Sequence, residues 1–171
     1  MPSLLDPTVS GGSHDGLLVT YSLSKQSSMA GYRAAFVAGD PALVADLLAT
    51  RKHLGMIVPA PVQAAMVAAL SDDTHVAAQR DVYARRREVL VAALGDAGLQ
   101  VDHSEAGLYL WSRPAGDDGG DCWRTVSDLA DLGILVGPGA FYGPEGAGHV
   151  RVALTATDER VHEAAARLSG A

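Results

Sequence analysis

Residues 22–33 read Ser22-Leu23-Ser24-Lys25-Gln26-Ser27-Ser28-Met29-Ala30-Gly31-Tyr32-Arg33, and this stretch decides how the rest of the chain is understood. A lysine on a polar connection is ordinarily a solvated charge. Its neighbours here argue otherwise. Hydroxyls at Ser22 and Ser24, a glycine at Gly31 that permits close backbone approach, and the guanidinium of Arg33 gather phosphate-binding groups around one amine. An amine that condenses with a carbonyl cofactor needs that company: the amine forms an imine while hydroxyls and a guanidinium hold the anionic end.

Outward from this stretch, Gly16–Tyr21 and Ala34–Gly39 are short apolar runs that read as buried, antiparallel strands with Lys25 on their connection. Asp40 and Pro41 start a helix whose apolar face is Leu43, Ala45, Leu47 and Leu48, ending near His53-Leu54-Gly55. Met56–Pro61 is extended because residues before proline are pushed out of the helical region, and a helix restarts at Pro61. From Asp72 or Asp73 to about Ala97 apolar positions keep the helical period, with Gly98 placed as a C-terminal cap; this is the longest helix expected. A strand at Gly107–Trp111 follows, then a Gly/Asp loop at Gly116–Asp121 and a helix around Trp123–Leu132. Next come a short strand at Ile134–Val136, a strand at His149–Leu154 and a last helix from Asp158. The alternation predicts an α/β chain.

With 171 residues, 48% of them hydrophobic, the chain can bury a real core. Net charge is −7 and the pI near 5.2, and basic residues cluster only at Arg85-Arg86-Arg87, so no stripe exists to neutralise a nucleic-acid backbone. Those arginines are expected to pair with Asp81 and Glu88 on a solvated helix face. The single cysteine, Cys122, fits a reducing, cytoplasmic setting. No basic-then-apolar leader and no run of roughly 20 apolar residues is present, so neither export nor membrane insertion is expected. Histidines 14, 53, 75, 103, 149 and 162 lack metal-ligand spacing. Ser13-His14-Asp15 has the composition of a catalytic triad, but adjacent residues cannot adopt its geometry. Asp117, Asp118 and Asp121 among glycines lack the closing Glu of a calcium loop and read as solvated. No metal is therefore expected.

Ser22-x-Ser24-Lys25 followed by Gly31-x-Arg33 resembles the lysine motif of class I/II, fold type I, aminotransferases. Further segments are similar to that family's C-terminal half in type, order and spacing. They are Gly107-Leu108-Tyr109-Leu110-Trp111, Gly133-Ile134-Leu135-Val136 with Gly137-Pro138-Gly139 and Phe141-Tyr142-Gly143, and Val150-Arg151-Val152-Ala153-Leu154-Thr155. The resemblance covers essentially the whole chain. At finer grain, Ser3-Leu4-Leu5-Asp6-Pro7, the Ser-Leu-Ser-Lys form of the motif and Val58-Pro59-Ala60-Pro61-Val62-Gln63 look most like actinobacterial N-succinyldiaminopimelate aminotransferases.

The resemblance implies pyridoxal 5'-phosphate as cofactor and Lys25 as its Schiff-base lysine, with Ser22 and Arg33 on the phosphate and Ser24 near them. It implies Arg151 as the bidentate clamp on the substrate α-carboxylate, and places Tyr109 and the Gly139–Tyr142 turn beside the substrate. The strand pattern agrees for Arg151, since Val150, Val152 and Leu154 share one face and Arg151 takes the other. The implied reaction is ping-pong transamination between an amino acid and a keto acid, with Lys25 moving the α-proton. N-succinyl-LL-2,6-diaminopimelate and 2-oxoglutarate, in lysine biosynthesis, are the expected substrates.

Family enzymes run to more than twice this length and are homodimers with sites at the subunit interface. Residues 1–72 are accordingly expected to be the C-terminal remnant of the large cofactor domain, with an incomplete sheet. Residues 73–97 would be a long interdomain helix and 98–171 the small α+β domain. The family's earlier part supplies the glycine-rich turn under the phosphate and the aspartate on the ring nitrogen. The isolated chain is therefore expected to give little imine absorbance and no turnover. Two other readings remain open: a catalytically silent remnant or interaction module, and another fold type I enzyme such as a decarboxylase or synthase.

Overall fold

A computed structural model of the protein describes residues 2–116 and 120–170, so Asp117 and Asp118 of the glycine-rich loop lie outside the described residues. Two units divide the chain, Met1–Ala77 and Ala78–Ala171.

In the first unit a single turn, α1 (Pro7–Ser10), is capped by Asp6. β1 (Leu18–Ser22) then pairs antiparallel with β2 (Ala35–Gly39), with Leu18 opposite Gly39 and Ser22 opposite Ala35. Glycine is required at the end of this ribbon: φ at Gly39 is 144° and a Cβ there would lie 2.1 Å from the Leu17 carbonyl oxygen. Between the strands runs α2 (Leu23–Gln26), a single helical turn where the sequence suggests plain connection. α3 (Pro41–His53) starts where Asp40 and Pro41 place it, the Asp40 carboxylate accepting from the backbone N–H of Ala42 and Leu43. That carboxylate also accepts from Gly16 N–H, and these bonds, Gly16 first, hold its pKa below the ordinary value.

After the extended prolines, α4 (Ala60–Leu70) supplies Met66 to a small core with Leu23, Met29 and Ala34. The apolar runs suit a buried ribbon, but with half of a large domain's sheet missing the Leu17–Tyr21 strand is expected to be left exposed on one side; four of the five β1 residues are exposed and β2 is mostly half-buried. An apolar run records that a surface favours burial; it does not supply the covering layer. Similarly α3 has no buried residue, and a groove of ≈ 680 Å³ lined by Val37, Leu47, Ile57, Met66 and Leu70 is left along it.

The longest helix, α5 (Thr74–Asp96), contains the boundary between the units in its first turn. In the second unit, β3 (Leu99–Asp102), β4 (Tyr109–Pro114), β5 (Gly137–Pro138) and β6 (Val150–Ala153) form an antiparallel sheet in the order β3-β4-β6-β5. Its inner face and α5, α6 (Cys122–Asp131) and α7 (Asp158–Ser169) enclose Leu94, Leu110, Leu129, Val150, Leu154 and Val161. Ser112 is buried there too, its hydroxyl donating to the Gln100 carbonyl at 3.0 Å. No described helix is long and apolar enough to cross a membrane.

Three sequence expectations change in this unit. β3 was not foreseen, because it offers only Leu99 and Val101 as an apolar alternation directly after a helix cap. The strand expected at Ile134–Val136 is instead the two-residue β5. The N–H groups of Gly133 and Ile134 are taken by Ala130 and Leu129 carbonyls in closing α6, and Leu135 is 90% exposed. Arg86 and Arg87 are not on a solvated face. Arg86 donates to Asp158 and the Leu154 carbonyl, and Arg87 to Ser104 and the Gly107 carbonyl, tying α5 to the ends of β6 and β4. Sequence spacing shows local partners on the same helix, whereas these partners lie some 17 to 72 residues away.

Candidate functional site

Ser22 is both the last residue of β1 and the N-cap of α2, accepting from Ser24 N–H and donating to Ser24 Oγ at 2.9 Å. Leu23 is 0% exposed and pins the turn to the core, which leaves Lys25 on the exposed side. The following segment bends through two left-handed residues that are not glycine, Ser28 (φ 53°) and Arg33 (φ 52°). Such positions are costly and concentrate at functional sites. Arg33 Nη1 donates to the Ala30 carbonyl at 3.1 Å, and Arg33 is among the residues that line the unit's groove. Hydroxyls, guanidinium and amine therefore belong to one chain segment braced by Leu23, Met29 and Ala34.

One contact here was not legible in the sequence: His75 Nε2 lies 2.9 Å from Ser27 Oγ, two residues after Lys25. Its Nδ1 is 3.7 Å from Asp72, too long for a hydrogen bond, so the trio falls short of a catalytic triad. Forty-eight residues separate His75 from Ser27, and no local pattern marks the pair. Ser13, His14 and Asp15 make separate local bonds: His14 meets the Leu5 carbonyl, and Ser13 accepts from Asp15 N–H. Among the described residues no cluster of three or more His, Cys, Asp or Glu could hold a metal ion.

In the second unit a single cross-strand row runs Asp102, Trp111, Arg151, Gly137 over β3, β4, β6 and β5. Val150 and Val152 point inward, so this row faces out of the core, as the alternation of β6 requires. The Arg151 guanidinium stacks 4.3 Å from the Tyr109 ring centroid and 5.4 Å from that of Tyr142. Its Nε is buried without a hydrogen-bond partner, and among the described residues no carboxylate pairs with it. Trp111 stacks on His149 at 5.1 Å and meets Tyr142 edge-on at 5.6 Å. His149 Nε2 and Arg113 Nε both lie 3.1 Å from Asp102 Oδ2, and the His149 bond leads in lowering the Asp102 pKa. Asp102, His149, Trp111 and Tyr142 were not singled out as a cluster from sequence, because the row appears only when four strands pair.

A lysine on a hydroxyl-capped turn before a guanidinium, and an arginine with no carboxylate partner among the described residues, are two sets of groups whose chemistry suits anionic ligands. Residues 4–168 match the family described as aminotransferase class I and II.

The chain belongs to this family.

Class I and II aminotransferases use pyridoxal phosphate. Among relatives, the chain is 63% identical over 167 residues to the 4-dedimethylamino-4-oxo-anhydrotetracycline transaminase OxyQ of Streptomyces rimosus. That match covers 98% of this chain and 45% of the relative. An LL-diaminopimelate aminotransferase of Oleidesulfovibrio alaskensis is 36% identical, over 92% of this chain and 41% of that protein. The chain thus spans less than half the length of the relatives it matches. An aminotransferase structure from Neisseria meningitidis Z2491 superposes with a TM-score of 0.84 at 31% identity, covering 99% of this chain and 43% of that one. A Thermus thermophilus structure described as "probable N-succinyldiaminopimelate aminotransferase" does so at 0.80 and 30% identity, over 93% and 43%. The fold type I assignment follows from these similarities.

The donor set of the lysine turn fits pyridoxal phosphate. Lys25 is an exposed primary amine, the Ser22 and Ser24 hydroxyls are already mutually oriented, and Arg33 spends one nitrogen on a carbonyl while keeping further N–H donors.

Proposed function

We propose that this chain supplies the cofactor lysine and the substrate-carboxylate arginine of a pyridoxal-phosphate-dependent transaminase that moves an amino group between an amino acid and a keto acid. One observation carries the reading: Lys25 stands exposed on a Ser22-capped turn, anchored by the fully buried Leu23, in a chain that belongs to the aminotransferase family.

Residues 1–72 are read as the C-terminal remnant of the large cofactor domain, 73–97 as the interdomain helix and 98–171 as the small domain. Ser22, Ser24 and Arg33 would hold the phosphate by charge-assisted hydrogen bonds, leaving Lys25 for the carbonyl carbon. Pyridoxal phosphate, when bound, supplies an aldehyde and a conjugated ring that takes up the electron pair of a broken Cα–H bond. Lys25 Nζ acts as the base that removes the substrate α-proton and as the acid that returns a proton. Arg151 receives the α-carboxylate in two parallel N–H···O bonds, with Tyr109 beside it. The working protein is read as a homodimer in the cytoplasm.

For the substrate, N-succinyl-LL-2,6-diaminopimelate with 2-oxoglutarate as acceptor, in lysine biosynthesis, is supported by the Thermus structure and the diaminopimelate relative. The Streptomyces relative, at higher identity, supports a second reading in which the amino group goes to a polycyclic ketone.

Lys25 and Lys52 are the chain's two lysines, which makes the lysine assignment directly testable. The isolated chain is expected to hold little imine at equilibrium, but borohydride reduction accumulates what forms, so incubation with pyridoxal phosphate and borohydride should label Lys25 in preference to Lys52, read by peptide mass spectrometry. Arg33→Leu should reduce the Lys25 label and leave Lys52 unaffected. Equal labelling of the two amines would sink the assignment and favour a silent remnant.

A further inference from the structure

The guanidinium of Arg151 is held in an unusual way. A half-buried arginine is normally fixed by a carboxylate or by backbone carbonyls, and among the described residues Arg151 has neither. What holds it is aromatic. The Tyr109 ring lies against it at 4.3 Å and the Tyr142 ring at 5.4 Å, while Gly137, its register partner on β5, leaves the space beside Nε free of a side chain. A Cβ at Gly137 would already touch Nε at 3.7 Å, so a longer side chain there would crowd the guanidinium.

Tyr142 is itself fixed from two sides. Its ring meets Trp111 edge-on, and Trp111 is stacked on a His149 that is anchored to Asp102. Its backbone belongs to the 3₁₀ turn Gly139–Tyr142, which is clamped to the start of β6. Gly139 N–H donates to the His149 carbonyl at 2.8 Å, and Gly139 and Gly146 approach so closely that a Cβ on either would lie 2.2 Å from the other's carbonyl oxygen.

We propose that Tyr109 and Tyr142 are positioning residues which hold Arg151 between their rings, so that the cation is oriented for an incoming carboxylate without being neutralised by one of its own. A ring quadrupole attracts the guanidinium without occupying its in-plane N–H donors, whereas a resident carboxylate would compete for the donors that the ligand needs. Asp102 stands in the same cross-strand row but is taken by His149 and Arg113, which keeps the nearest acid of that row away from Arg151. The inference rests on the reading of Arg151 as the carboxylate site.

The test uses the whole chain, 2-oxoglutarate as probe and the Nε–H NMR signal of Arg151, assigned by its loss in Arg151→Lys. In the free protein that proton should be displaced by ring current, and Tyr109→Leu should return it towards the ordinary arginine position. Tyr142→Leu and Tyr109→Leu should each weaken 2-oxoglutarate binding by roughly three- to tenfold, while Tyr142→Phe, which keeps the ring, binds as the parent does. Both tyrosines are partly exposed, so these changes do not empty the core, and unchanged near-ultraviolet dichroism confirms it. Parental binding in both leucine variants, alongside loss of binding in Arg151→Lys, overturns the positioning role and leaves Arg151 as the carboxylate site. Binding that is absent, or indifferent to Arg151→Lys, overturns the reading of Arg151 and the positioning role with it.

Discussion

Replacing Gly139 by alanine tests the geometry that places Tyr142. A Cβ built at Gly139 falls 2.2 Å from the Gly146 carbonyl oxygen and 2.5 Å from that of His149, against 3.4 Å for the closest ordinary contact, so the backbones must separate by about 1.2 Å (3.4 − 2.2). The obstacles are backbone atoms, which cannot rotate away as a side chain can. Forcing one methyl into a filled site costs about 1–3 kcal/mol. The separation also stretches the Gly139 N–H bond to His149 (2.8 Å) and the His149 N–H bond to Gly146 (2.9 Å), each worth about 1 kcal/mol net. Against this, alanine restricts the unfolded chain and returns about 0.4–1 kcal/mol. The expected net loss is about 3 kcal/mol. Both tryptophans, Trp111 and Trp123, lie in the second unit, so urea unfolding followed by tryptophan fluorescence reports that unit alone. A lower midpoint with an unchanged slope is expected. A loss below about 1 kcal/mol would show that the turn yields easily and refute the claim that glycine backbone contact fixes it.

Gly95→Ala is the matched opposite: it lies inside α5 with nothing within 4 Å of its added Cβ, so the same fluorescence assay should show stabilisation by about 0.5–1 kcal/mol. Acid sensitivity should trace to Asp102. Its pKa is held below the ordinary 3.8 by His149 and then Arg113, so the stability it contributes is complete above that value and is lost as pH falls through the lower, folded value. The melting temperature of the second unit should therefore drop on acidification below about pH 4, and Asp102→Asn should start lower at neutral pH but fall less steeply. An identical acid limb in the variant would remove Asp102 from the account.

Much of the lysine segment was legible because its determinants are local. Asp40 before Pro41 starts α3 by capping its first N–H groups, and Ser22 caps the turn that carries Lys25 in the same way, although the sequence alone suggests plain connection there. Each depends on residues one to three positions away, the range over which sequence constrains backbone directly. The bond from His75 to Ser27 was not legible, nor were the reassignments of Arg86 and Arg87, because their partners come from distant parts of the chain. Ile134–Val136 misled for a related reason. Its alternation suits a strand, but its leading N–H groups were already committed to closing α6.

By itself, then, the sequence determined the family, through motifs spread along the chain, and the start of α3 and the outward direction of Arg151, through capping and alternation within one segment. Tertiary structure decided what surrounds that arginine. Asp102, Trp111, Arg151 and Gly137 become neighbours only when β3, β4, β6 and β5 take their register, and Tyr142 joins them only because Gly139 and Gly146 let two backbones touch. Cross-strand neighbours are fixed by hydrogen-bond pairing between strands, and the residues that set this pairing lie far apart in the chain.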